Sequence, residues 1–331
     1  MVRHSGQFER IGKLFTTASE AGQAIGVHVT ETPRANCRVE AEGDHGSEKA
    51  GSIRLHDDGL GGSVFNERLR LCAVWRVDAG KPLTREERRQ RNAEWQTRKN
   101  EKAESERREA REGSITARQI FSKCREVNAH PYLTRKKIKP NQNLFSVDAE
   151  TVNRVLADRG VKNEKGEPYR LGLKGALLVA PLIRGGELAS LQFIDANGQK
   201  RFMKTGRVSS AYWLSSTLDV YQKAEVIGIA EGIATALSVE QVKGFPCIAS
   251  MSSGNLKNVA RYWRDKLPDT RFLILSDVGN GEQDAVEASK AIGAIFVKPT
   301  ITPEIIRRFK AITGGEKPTD FNDFYIAMGE L

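Results

Sequence analysis

Two acids, Glu231 and Asp277, stand where a carboxylate could do chemistry. Glu231 closes the apolar run Val226-Ile227-Gly228-Ile229-Ala230 and precedes Gly232, after which Ile233, Ala236 and Leu237 recur at helical spacing. Asp277 closes Arg271-Phe272-Leu273-Ile274-Leu275-Ser276 and leads into the loop Val278-Gly279-Asn280-Gly281. An acid at the C-terminal end of a buried strand, with a helix following, is where α/β folds bind ligands. Two such strands in one sheet could bring both carboxylates to one divalent cation, because hard cations such as Mg²⁺ take oxygen ligands. A third acidic group, Asp320 and Asp323 in Thr319-Asp320-Phe321-Asn322-Asp323-Phe324, follows near the C-terminus. The plain alternative for Glu231 alone is a solvated side chain at an ordinary turn; the repetition at Asp277 weighs against it.

The elements that must position these acids alternate from about residue 224 onward. Predicted strands cover Val226–Ala230, Pro246–Ala249, Phe272–Ser276 and Ala294–Val297. Predicted helices cover Ile233–Lys243, Leu256–Lys266, Asp284–Ile292 and Pro303–Thr313. This order predicts a mostly parallel sheet covered by helices on both faces. Gly254-Asn255, ahead of the second helix, offers free N–H groups to a phosphate. Upstream, Leu177–Ile183 turns at Gly185-Gly186 into Leu188–Ile194, and Asn197-Gly198 makes the next hairpin. The strand after it carries Lys200, Arg201, Lys204 and Arg207 around Phe202 and Met203. Such interleaving can bury one face and hold phosphates with the other, or form a solvated sheet face. A further basic group, Arg135, Lys136, Lys137 and Lys139, follows His130-Pro131.

Glu231-Gly232-Ile233-Ala234-Thr235-Ala236 resembles the EGYATA motif of the Toprim domain in plasmid and phage-satellite DNA primases, with Ile233 in place of Tyr. The nearest likeness is to the TraC-type plasmid primases. His130-Pro131-Tyr132-Leu133, the run Leu191-Gln192-Phe193-Ile194-Asp195 through Lys200-Arg201-Phe202, and Pro318-Thr319-Asp320-Phe321-Asn322-Asp323 follow in the family's order, so the resemblance runs from about Ala129 to the end. It implies a Toprim-like sheet flanked by helices, preceded by a basic β/α primase subdomain and a small β-rich module. It also implies primer synthesis on single-stranded DNA from nucleoside triphosphates. Glu231 and Asp277 would be catalytic, and Glu231, Asp277, Asp320 and Asp323 would hold Mg²⁺ or Mn²⁺. Lys200, Arg201, Lys204, Arg207, Arg135 and Lys136 would bind template and nucleotides. One departure stands out: Toprim domains usually carry Asp-x-Asp where this chain has Asp277-Val278-Gly279, and Glu282 and Asp284 are the next acids in the loop. It motivates one alternative, a decayed Toprim protein that binds single strands without chemistry; another is a Toprim nuclease, which uses the same acids to hydrolyse rather than to join.

Residues 1–80 read as the small β-rich module, with strand-like alternation at Gly26–Thr30, Ser52–His56 and Val74–Val77 and a mobile loop over Glu40–Gly51. Its Arg and aromatic residues could touch nucleic acid or be purely structural. Residues 81–128 read as a charged helical connector. A helix from about Leu83 ends near Gly113, with a Thr84/Glu87 capping box and Glu87–Arg91, Glu94–Arg98 and Glu104–Arg108 pairs; a second helix covers Ser114–Val127. Residues 129–223 are the basic subdomain and 224–331 the Toprim part.

The net charge of +10 favours a polyanion partner, since neutralising phosphates releases counterions. Cys37, Cys72, Cys124 and Cys247 form no Cys-x-x-Cys pair, which argues against a zinc ribbon and a disulfide framework. No stretch approaches the roughly 20 apolar residues of a membrane span, and a cytoplasmic location without membrane contact is expected. No Gly-x-x-x-x-Gly-Lys-Ser/Thr loop occurs, so a separate helicase or replication protein is the expected partner. Replication of a plasmid, mobile element or phage is the expected setting.

Overall fold

A computed structural model of the chain describes residues 8–30, 37–45, 48–56, 60–77, 85–279 and 281–331. Thr84 of the expected capping box, the side chain of Arg91 and Asn280 lie outside the described residues. The chain divides into two compact units, Met1–Glu106 and Arg107–Leu331.

The first unit holds one five-stranded sheet in the order β1-β5-β4-β3-β2. The strands are β1 (Glu9–Phe15), β2 (Arg38–Val39), β3 (Gly51–Leu55), β4 (Gly61–Asn66) and β5 (Leu71–Arg76). Helix α1 (Ala18–Gln23) starts with a Thr17/Glu20 capping box and packs Ala18 and Ala21 into a core with Ile53, Val64, Ala73 and Trp75. Three expectations need correction. Gly26–Thr30 contributes only a single bridge, Val27 to Ala41, because the chain there is closing the turn after α1. The described part of Glu40–Gly51 is an organised loop. Asp44 Oδ2 accepts the Ala41 and Ala50 N–H groups at 2.8 and 2.9 Å, and its Oδ1 pairs with Arg68 at 2.7 Å. Third, β1 and α1 are present although neither was expected from the residue pattern.

Helix α2 (Arg85–Phe121) contains the boundary between the units. It runs straight through Gly113, where a stop was expected, and ends at Phe121 rather than near Val127. Glycine in a helix costs only about 1 kcal/mol relative to alanine. Here it permits a close approach, since a Cβ at 113 would lie 2.2 Å from the Thr205 carbonyl oxygen.

The second unit holds two more sheets. The antiparallel sheet has the order β10-β9-β8-β7-β6, with β6 (Arg125–Glu126), β7 (Phe145–Asp148), β8 (Ala176–Arg184), β9 (Glu187–Ile194) and β10 (Lys200–Phe202). Helices α3 (Pro131–Arg135) and α4 (Ala149–Asp158) flank its first strands in the chain. The third sheet has the order β11-β13-β12-β14-β15, with β11 (Trp213–Leu214), β12 (Val226–Ala230), β13 (Cys247–Ala249), β14 (Arg271–Leu275) and β15 (Ile295–Val297). Only β11 runs antiparallel, so the expected mostly parallel sheet is present. Between and after these strands come α5 (Leu218–Lys223), α6 (Ile233–Lys243), α7 (Ser253–Lys266), α8 (Glu282–Ile292), α9 (Pro303–Thr313) and α10 (Phe321–Met328).

The two-residue period of β12 shows why this sheet is covered twice. Ile227 and Ile229 join Leu256 and Val259 of α7 and Ala285 of α8 in one core. Ala230 points the other way, into a core with Ile233 and Leu237 of α6 and Phe321 and Tyr325 of α10. That second core also takes Leu178, Ala180, Leu182 and Ile194 from the antiparallel sheet. The opposite face of β8, with Leu177 and Val179, packs with Ala117 and Ile120 of α2 and Val152 and Leu156 of α4. One face of the antiparallel sheet is thereby fixed against α6 and α10, and this brings β10 to the acids.

Candidate active site

Glu231 and Asp277 leave adjacent parallel strands at the same edge. Ala230 of β12 is in register with Leu275 of β14, so Glu231 emerges one residue and Asp277 two residues beyond that rung. Neighbouring strands lie about 4.8 Å apart, which keeps the two carboxylates in electrostatic contact. Asp320 caps α10, its Oδ1 accepting the Asp323 N–H at 2.8 Å. The Val278 N–H donates to the Thr319 carbonyl at 2.7 Å and fastens this cap to the loop after β14.

Two lysines enter the cluster from the other sheet's side. Lys136 Nζ donates to Asp323 Oδ1 at 3.0 Å and lies 3.9 Å from Asp320 Oδ2. Asn322 seals the same junction, donating to the Lys136 carbonyl at 2.7 Å and to the Ser238 hydroxyl at 2.8 Å. Lys200 shares a face of β10 with Phe202, which packs on the core that holds α6 and α10. Much of its side chain is exposed, but its Nζ end sits 5.7 Å from the Tyr132 ring centroid and within reach of Asp320, Asp277 and Glu231.

The electrostatics follow from this crowding. Burial pushes the Asp277 carboxyl up to about 7, Asp320 and Glu231 add to the rise, and Lys200 offsets part of it. Burial also raises Glu231, opposed by the Ser253 backbone N–H and by Lys200, with Asp284 adding to the rise. Asp320 is raised by burial and held back by Lys136. Lys200 is lowered by burial and by Lys136, against the pull of the acids. For Lys136 burial acts downward, yet Asp320 and Asp323 outweigh it and the net shift is upward.

The four acids do not make a ready-made cage: among the described residues no three acidic, histidine or cysteine side chains converge as a metal-holding group. Asp323 is already engaged, by Lys136 and, at Oδ2, by the Thr319 N–H and hydroxyl at 3.2 and 3.3 Å. Asp277 differs. Its Oδ1 is buried with no hydrogen-bond partner among the described residues. An orphaned carboxylate oxygen raised by two like charges suits a hard cation, and Mg²⁺ needs only one or two protein carboxylates beside substrate phosphates. Asp277 therefore fits such an ion as a single protein ligand, with Asp320 and Glu231 as the nearest acids that interact with its charge, and not as part of a three-carboxylate cage.

The departure at Gly279 has a backbone reason. Its φ is +100°, a conformation that an aspartate would adopt only with strain. Of the neighbouring acids, Glu282 is paired with Lys298 at 2.7 Å, while Asp284 lies near enough to Glu231 to raise it.

The other basic residues singled out in the sequence go elsewhere. Arg201 points to the opposite face of β10, in register with Phe193, and is exposed. Lys204 Nζ lies 5.9 Å from the Tyr169 ring centroid. Arg207 is half-buried, and its backbone N–H donates to Ala189. Arg135 donates to the Ala196 carbonyl at 2.9 Å and props the hairpin ahead of β10. Helix α7 begins at Ser253, so Gly254-Asn255 lies within its first turn rather than before it. Asn255 is buried there. It accepts the Ser210 N–H at 2.8 Å and donates to the Ala211 and Ser250 carbonyls at 2.8 and 2.7 Å. The role of Ser253 beside Glu231 went unread, because nothing in the local sequence marks which helix start faces an acid.

The parallel sheet and its strand-end acids lie within residues 226–330, which the Toprim domain family model matches. The chain is 28% identical to the DNA primase TraC of Escherichia coli over 281 residues, covering 80% of this chain and 24% of the relative. A second Escherichia coli DNA primase TraC is 30% identical over 128 residues, covering 36% of this chain and 9% of that protein. The chain is thus similar to these DNA primases and spans about a quarter, or less, of their length. Among solved structures, one similar chain comes from the bacteriophage T7 lagging-strand DNA polymerase interacting with primase domains of two gp4 subunits bound to an RNA/DNA hybrid and dTTP. It aligns at TM-score 0.35 and 14% identity over 47% of this chain and 73% of that one. The DnaG primase catalytic domain bound to ssDNA aligns at 0.32 and 13% over 56% and 66%.

Proposed function

We propose that this chain is a DNA primase that joins nucleotides into short primers on a single-stranded DNA template, in the replication of a plasmid, mobile element or phage. The observation that carries the reading is the meeting of Glu231, Asp277 and Asp320 at one sheet edge beside Lys200. Asp277, with Asp320 beside it, would hold Mg²⁺ or Mn²⁺. When bound, the ion supplies charge neutralisation for the triphosphate. Lys200 adds positive charge where triphosphate oxygens would approach. Glu231 takes the proton of the attacking 3′-hydroxyl as its oxygen bonds to the α-phosphorus and pyrophosphate leaves. Lys136 holds Asp320 and Asp323 in place.

Losing a general base typically costs about 100- to 10,000-fold in rate. Glu231→Gln is expected to reduce template-dependent incorporation of labelled nucleotides by that factor, with no drop in Tm. Wild-type incorporation by the variant would show that Glu231 is not the base. A second reading, single-strand binding without chemistry, is favoured by Gly279, which leaves the second strand end without its second acid. It expects equal binding with and without chelator and no incorporation by the wild-type chain.

A further inference from the structure

The first unit carries a sheet face whose chemistry the acid cluster does not use. Residues paired across a ladder share a face. In β3, β4 and β5, Ser52 opposes Phe65, which opposes Cys72; Arg54 opposes Ser63, which opposes Val74; and Gly61 opposes Arg76. On the parallel side, Arg10 and Leu14 of β1 register with Cys72 and Val74. The alternate residues, Ile53, Val64, Ala73 and Trp75, are buried with α1 on the other side. The first face is more open, apart from the buried Ser52 and Gly61: Arg10, Leu14 and Arg54 are exposed, and Phe65, Val74 and Arg76 are half-buried.

At its centre Phe65 makes an edge contact with Phe8, centroids 5.2 Å apart. The Arg54 guanidinium lies 5.8 Å from the Phe65 ring centroid, and that of Arg70 lies 5.9 Å from Phe8. None of the paired positions just named on this face is an acid. Arginines around an aromatic pair match a ligand that alternates phosphate charge with exposed π-faces. That ligand is a single strand, since a duplex hides its base faces. We propose that this face binds single-stranded DNA, with bases stacked at Phe65 and Phe8 and phosphates on Arg10 and Arg54. Such binding is independent of primer synthesis, because Glu231 and Asp277 have no part in it.

The test uses the full chain with chelator present and a labelled oligo-dT of about 20 nucleotides, read by fluorescence anisotropy. Arg10→Glu with Arg54→Glu is expected to weaken binding at least tenfold without lowering Tm. The slope of log K against log salt should become shallower by about 1.4, two phosphates' worth on a single strand. Phe65→Leu is expected to weaken binding roughly tenfold with the slope unchanged. Photo-crosslinking with 5-iododeoxyuridine in the oligonucleotide should label a peptide from residues 61–76 of the wild-type chain, which decides the matter even if Phe65→Leu unfolds. Wild-type affinity in the arginine variant, or adducts confined to residues 107–331, would overturn the proposal. So would a Phe65→Leu variant that is folded and binds fully, since that marks a charge-only surface suited to an acidic protein partner.

Discussion

Replacing Asp277 by asparagine should make the protein more stable while removing a group proposed to hold the cation. The wild-type carboxyl ionises near 7 in the folded chain against 3.8 for the ordinary group, first because it is buried and then because Asp320 and Glu231 lie close. Each tenfold change in an ionisation constant is worth about 1.4 kcal/mol, so about 4 kcal/mol is the ceiling on the cost of the charge. Asp277 is only half-buried and Lys200 sits nearby, so relaxation and solvent screening reduce this to about 1–2 kcal/mol. For a unit of this size, that corresponds to a Tm rise of about 2–6 °C for Asp277→Asn. The sign fixes the pH window. Between about pH 4 and 7 the folded state binds more protons at this site than the unfolded chain, so the aspartate destabilises progressively as pH rises. The advantage of Asp277→Asn should therefore be small near pH 4 and full above about pH 7. Thermal melts of the full chain in chelator at pH 5 and pH 8 measure it. Mg²⁺ should then stabilise the wild type, by about 2.7 kcal/mol at one hundred times Kd, and leave the variant nearly unmoved. An Asp277→Asn variant no more stable than wild type at pH 8 would refute the account of a crowded, repelling acid cluster.

Two further outcomes follow from the same geometry. Lys136→Met leaves Asp320 and Asp323 without their cation, and breaking a largely buried pair of this kind should cost about 2–3 kcal/mol, seen as a Tm drop of several degrees; an unchanged Tm would mean that solvent already screens the pair. Gly279→Asp restores the second acid in open space but at φ +100°, so it should lower stability in chelator by about 1–2 kcal/mol and enlarge the Mg²⁺-induced rise in Tm; a stability equal to wild type would show that the loop simply changes its turn.

The acid-bearing core of the second unit was legible because its information is local. In 226–230 and 271–275 a short apolar run ends in an acid and a helical period starts soon after, and the structure forms β12, α6 and β14 within a residue of the expected bounds. Side-by-side pairing of those two strands then puts Glu231 and Asp277 at one edge. The basic residues were another matter. Read along the chain, Lys200, Arg201, Lys204 and Arg207 form one stripe, but strand alternation sends Lys200 and Arg201 to opposite faces. Lys136 reads as a loose surface charge, yet its partner Asp323 is 187 residues away. Asn255 reads as part of a phosphate-holding turn and is in fact a buried strut under the loop 208–211.

The sequence by itself determined which strands end in acids, which helices follow them and that the sheet runs mostly parallel, since hydrophobic period and turn residues act over a few positions. Only the tertiary structure decided which charges meet. Packing the antiparallel sheet on α6 and α10 delivers Lys136 and Lys200 to the acids, raises Asp277 and ties up Asp323. Coulomb interaction depends on distance through space, and no spacing along the chain encodes that distance.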